Sequence, residues 1–124
     1  MTINEAIQSL DSLKFNTYQK DDKIKWLSRL DSMVKEKIID THEGVEVVSF
    51  SGYTADTPTD TVLLVPAPYD EVYLRWMEAQ IDYHNHEYDT YNNAIIMFNT
   101  AFEAYKEHYN ITHKPVQRGR RFLF

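Results

Sequence analysis

Between residues 69 and 109 the apolar positions fall at alternating steps of three and four. Leu74, Met77, Ile81, His84, Tyr88, Tyr91, Ile95, Phe98, Phe102, Tyr105 and Tyr109 form one unbroken line. That is the period of a helix, not of a strand. A second line of Tyr69, Val72, Tyr73, Trp76, Ala79 and Tyr83 runs beside its first half. Only Glu71, Arg75, Glu78 and Asp82 make a polar stripe there. A helix with so narrow a wet face must be covered by its own chain or by copies of itself. Tyr73, Trp76, Tyr83, Phe98 and Phe102 are therefore expected in a core or an interface. As one rod this stretch would span roughly 60 Å, too long for a compact domain of this size. Asn85 and His86 are its weakest helix formers. A tight turn or sharp kink is predicted at residues 85–87, so the stretch is an aromatic-rich hairpin or kinked pair.

The preceding pattern predicts two more helices. Thr2 and Glu5 have capping-box spacing ahead of Ile3, Ala6, Ile7, Leu10 and Leu13 on one helical face. After a connector at residues 14–20, Asp21 or Asp22 is expected to cap a longer helix. Ile24, Leu27, Leu30, Val34 and Ile38 form its buried face. Lys23, Lys25, Arg29, Lys35 and Lys37 lie mainly off that face and read as solvated. Gly44 is expected to stop the helix. Val45, Val47, Val48 and Phe50 then give a β-branched run, and residues 61–65 a second strand candidate. The two can pair as a hairpin around a loop of turn formers at residues 51–60. Pro68 fixes an extended entry, and Tyr69 or Asp70 opens the aromatic stretch. Pro115 forbids simple helix continuation. The expected fold is mainly α: a small bundle of about four helices with a short β-hairpin insert and an extended C-terminal tail. Residues 1–113 make one domain, with the β-like insert at 45–65, and residues 114–124 the tail.

Charge divides the chain at the same place. Residues 1–113 hold nine Lys and Arg against nineteen Asp and Glu, a net of −10. Residues 114–124 hold four cations and no acid, which brings the whole to −6. An acidic body discourages non-specific nucleic-acid binding. There is no cysteine, so disulfides and thiolate chemistry are excluded. No apolar run approaches the roughly eighteen residues that cross a bilayer, and the start carries no basic cluster of a signal peptide.

Few residues suggest chemistry. His84, His86 and Glu87 are the most ligand-like cluster, with His108 and His113 further on. His84 and His86, two apart, point in different directions on a helix. No Gly-rich phosphate loop, nucleophile elbow or zinc-protease helix is present. No catalytic site, metal site or cofactor is predicted. The tail is the stronger candidate. Arg118, Arg120, Arg121, Phe122 and Phe124 are basic and aromatic anchors on an extended segment. Such a segment suits a partner's sheet edge or acidic groove.

A short first helix, a longer second one and a β-like insert lead to the run Val65-Pro66-Ala67-Pro68-Tyr69-Asp70-Glu71-Val72-Tyr73-Leu74. Then come Ala79-Gln80-Ile81-Asp82-Tyr83-His84-Asn85, Glu87-Tyr88-Asp89-Thr90-Tyr91-Asn92-Asn93 and an Arg-rich end. This order resembles the head–tail connector (adaptor, head-completion) proteins of tailed bacteriophages and prophages. In that family a proline introduces the central helix, which ends in a Tyr- and Asn-containing stretch before a turn. Pro66 or Pro68 and residues 83–87 match those positions. The β insert and the length of the last helix depart from the commonest members. The resemblance implies a structural virion protein, not an enzyme. It would form a ring, dodecameric in the family, beneath the portal, and be a monomer when free. Portal and tail or stopper proteins would be its partners, with DNA passing through without specific binding and no membrane involved. Its place would be the virion neck, and the host cytoplasm during assembly. The implied portal-docking residues are those of the tail. The alternative is a small helical protein-binding adaptor or regulator of phage origin.

Overall fold

The computed structural model describes residues 1–41 and 50–112. They form four helices: α1 (Ile3–Leu13), α2 (Lys20–Lys37), α3 (Glu71–His84) and α4 (Tyr88–Thr112), with a single 3-10 turn, Ile39–Thr41, after α2. The expected tail and the first strand arm at residues 45–49 lie outside the described residues, as does Gly44.

Helix α1 starts as its capping box requires. Thr2 Oγ1 accepts from the Glu5 amide at 3.1 Å, and Glu5 Oε1 accepts from the Thr2 amide at 3.0 Å. Two more orphan amides of its first turn are satisfied from a distant loop. Ile3 N donates to Thr61 O at 3.1 Å and Asn4 N to Thr59 O at 2.9 Å. Leu63 N donates to Met1 O at 2.9 Å, and Thr2 and Val62 form an isolated antiparallel bridge. Residues 61–65 therefore clamp the N-terminus rather than forming a strand. Among the described residues there is no β-strand.

Helix α2 buries Ile24, Leu27, Leu30 and Val34 as its spacing predicts, and Ile38 follows as its C-cap. Its N-cap is Gln19, without a side-chain hydrogen bond. Asp21 and Asp22 lie inside the first turn instead of capping it, where they favour the positive end of the helix. The helix ends at Lys37, ahead of the expected stop at Gly44.

The reversal after α3 is a complete Schellman motif. His86 stands at φ 61°. Its amide donates to Tyr83 O at 3.1 Å, and Glu87 N donates to Asp82 O at 2.9 Å. The long aromatic line is thus two antiparallel helices. The α4 part of the line meets the second apolar line rather than continuing the first: Tyr91 lies on Tyr83, Phe98 on Trp76 and Tyr105 on Tyr69, at 5.5, 5.0 and 5.8 Å, while Met77 and Ile81 are buried and Leu74 borders α1. Helix α3 packs on α1, α2 and α4. Helix α4 packs on α3 alone among the described helices.

Two expectations about charge are corrected. Asp82, assigned to the wet stripe, is fully buried and held by Lys14. Lys23, assigned to the solvated face of α2, is buried and donates to Asp11 Oδ1 at 2.7 Å. In each case the polar head finds an opposite charge on another helix or its flank, which offsets the loss of water.

Candidate functional site

The five aromatics expected in a core or interface fall in three places. Tyr73 is wholly enclosed. Trp76 is half-buried at the meeting of α2, α3 and α4: its Nε1 donates to Trp26 O at 2.9 Å, and its ring lies 5.0 Å from Phe98. Phe98 is buried and Phe102 half-buried, their rings 5.6 Å apart. Tyr83 is 53% exposed at the turn, beside Tyr91 at 5.5 Å. The tail residues Arg118, Arg120, Arg121, Phe122 and Phe124 lie outside the described residues.

The histidines are dispersed. His84 Nδ1 donates to Gln80 O at 2.7 Å, and its ring sits 5.7 Å from Trp26. His86 Nδ1 lies 3.0 Å from Tyr88 Oη, and His108 stacks on Tyr69 at 4.8 Å. Among the described residues no three His, Asp or Glu side chains are grouped as a metal would need. No described helix is long and apolar enough to cross a membrane.

Sequence reasoning missed the centre of the molecule, a buried carboxylate. Asp31 is enclosed between α2, α3 and the loop before α3. Tyr53 Oη donates to its Oδ2 at 2.5 Å, Leu64 N to the same oxygen at 3.2 Å, and Tyr73 Oη to Oδ1 at 2.6 Å. Val65 N in turn donates to Tyr73 Oη at 2.7 Å. No cation contacts Asp31 among the described residues. Burial raises its carboxyl above the ordinary value, opposed by the three hydrogen bonds. Burial, together with the Asp31 charge, pushes the Tyr53 and Tyr73 hydroxyls far up, so both remain donors. A signal was present: Asp31 lies four residues after Leu27 and three before Val34, on the buried side of α2. Gly52 serves this knot. Its φ of +101° suits glycine, and a Cβ there would come within 3.0 Å of Ser28 Oγ. That hydroxyl accepts from the Tyr53 amide at 3.0 Å.

The open surface is on α4. Ile96 is 63% and Met97 45% exposed, with Tyr88 and Ile111 also outside. Ile96, Met97, Ala101 and Ala104 of α4 line a groove of about 370 Å³ together with Glu71 and Arg75 of α3. Arg75 is held by Glu71 at 2.9 Å and Glu78 at 3.5 Å. A second concavity of about 480 Å³ shares Thr100 and Ala104 with the groove and is bordered by Glu103 and Glu107. The result is an apolar trough with an acidic extension toward the end of α4. An exposed apolar trough of this kind is a surface suited to contact with another protein surface.

Searches of protein-family models, of curated proteins and of solved structures gave no match to this chain.

Proposed function

We propose that this chain is a structural subunit, a head–tail connector of a tailed bacteriophage or prophage, that assembles as a ring under the portal. The observation that carries the reading is the one-sided packing of α4. A helix of 25 residues packs, among the described helices, on α3 alone, with Tyr69 of the preceding loop against its Tyr105 and His108, and presents Ile96, Met97, Tyr88 and Ile111 outward. Neighbouring copies in a ring would cover that face. The order of elements supports the same reading. Pro66 and Pro68 precede the central helix, which ends in the Tyr83-to-Glu87 turn. The body's excess of acid suits a channel wall past which DNA must slide.

In this proposal the tail, with Arg118, Arg120, Arg121, Phe122 and Phe124, docks on the portal. The chain has no catalytic role. Its setting is the virion neck, reached from the host cytoplasm. The test is co-expression with a portal protein from the same genome, followed by electron microscopy. Added ring density beneath the portal supports the reading. A chain that neither co-purifies with portal nor adds density removes it.

A further inference from the structure

We propose that the outer face of α4 docks head to tail on the outer face of α2 in a second copy of this chain. This deepens the ring reading and rests on it for closure of the ring, while the pairwise contact is measurable without a portal.

Helices α2 and α4 each pack on α3 and not on each other. Neither outer face can therefore cover the other within one chain. A contact between them is heterologous: it repeats from copy to copy and makes a ring where the rotation closes.

The two faces carry opposite charge. Glu103 and Glu107 stand one turn apart on the exposed side of α4, and Lys25 and Arg29 one turn apart on the exposed side of α2. None of the four has an ion pair among the described residues. Like charges at that spacing repel along a free helix. Set face to face, each pair offsets the repulsion in the other. Pairing α4 with a second α4 would instead gather four carboxylates on one seam.

The steps along the two helices match. Glu107, Glu103 and Thr100 descend by four and three; Lys25, Arg29 and Ser32 ascend by four and three. An antiparallel pair thus sets Glu107 against Lys25, Glu103 against Arg29 and Thr100 against Ser32. Met97 then falls within a turn of Met33, at a hollow of about 400 Å³ that Met33 shares with Trp76. Asp21 and Glu36, exposed acids toward the ends of α2, fall level with Ile111 and Ile96, so no acid opposes an acid. Exposed ion pairs alone add little. The apolar contact holds the copies together, and the charges select the face and the direction.

The chain lacks cysteine, so a pair can be introduced cleanly. Thr100→Cys with Ser32→Cys, both at exposed positions, should crosslink between chains under mild oxidation, about tenfold more than either single variant. In that background, Glu103→Lys with Glu107→Lys should reduce the yield about tenfold, and so should Lys25→Glu with Arg29→Glu. Mixing the two charge-reversed chains should restore it, because each α4 then meets an α2 of opposite sign. Mass spectrometry should find one chain of each kind in every crosslinked dimer. Recovery in the mixture also shows that both variants fold. Equal crosslinking by Thr100→Cys alone, closure within one chain, no crosslink between chains, or a mixture that stays silent overturns the proposal. Crosslinking without added density at the portal removes the connector reading and leaves the contact standing; added density without crosslinking does the reverse.

Discussion

Tyr73 Oη lies 2.6 Å from Asp31 Oδ1 and simultaneously accepts from Val65 N at 2.7 Å. One hydroxyl thus satisfies a carboxylate on α2 and a backbone amide of the loop that leads into α3. Removing it orphans both. Tyr73→Phe is expected to cost about 2–4 kcal/mol, because two buried polar groups lose their partner at once. Tyr53→Phe, which frees only one oxygen shared with Leu64 N, should cost less. Urea melts of the two variants give the comparison. A Tyr73→Phe loss below that of Tyr53→Phe would contradict this arrangement.

The pH dependence follows from Asp31. Its folded-state pKa is raised by burial, so the folded chain keeps the proton at pH values where the unfolded chain has released it. Stability from this group is fully present below the unfolded value and is lost as pH rises through the folded one. Wild type should therefore lose stability relative to Asp31→Asn as pH rises from about 4 toward neutrality. Denaturant midpoints of the two proteins across that range are the measurement. A gap that widens in favour of wild type with rising pH would reverse the sign.

Trp76 separates packing from hydrogen bonding. Its indole rests on Phe98 and donates to the Trp26 carbonyl. Trp76→Ala should cost about 2–4 kcal/mol, short of a fully buried tryptophan because one side is wet. Trp76→Phe should keep most of the packing and lose about 1 kcal/mol with the carbonyl's partner. Equal losses would show that the N–H matters more than the ring.

His86 occupies the left-handed position of the Schellman turn. His86→Gly relieves a strained backbone there and should leave stability unchanged or raise it by up to about 1 kcal/mol, despite the lost contact to Tyr88. His86→Val, β-branched at positive φ, should destabilise clearly. Thermal melts of both variants test the turn. If glycine and valine behave alike, φ at this position is not what holds the reversal.

The parts of the fold that read out of the sequence are those governed by local periodicity. The capping box at Thr2 and Glu5, the buried lines of α1 and α2 (save Leu13, which is 54% exposed at the end of α1), and the reversal at residues 85–87 all depend on neighbours three or four residues apart. Asn85 drew attention to the turn, though His86 takes the positive φ. Buried charge read poorly. Lys23 and Asp82 read as solvent-facing residues, and Asp31 drew no reading at all, because their partners Asp11, Lys14, Tyr53 and Tyr73 sit on other segments. Periodicity carries no information about such pairs, save that Asp31 sat in line with Leu27 and Val34. The loop from Tyr53 to Val65 read as turn formers and a strand arm. Its actual role is to supply Thr59, Thr61 and Leu63 to the start of α1, and Tyr53, Leu64 and Val65 to the centre. The groove on α4 was foreshadowed only as surplus apolar surface without a location.

The Asp31 knot also bears on how the chain comes apart. It joins α2 to residues 22, 33 and 42 positions further along. Such contacts form only after long loops have closed, late in folding. Once made, no single segment can leave without stranding a buried oxygen or amide on the others. Loop 53–65, irregular as it is, is therefore tied to the all-or-none transition of the whole domain. A protease site grafted at Leu64–Val65, whose amides bond Asp31 and Tyr73, would be cut only when the knot opens.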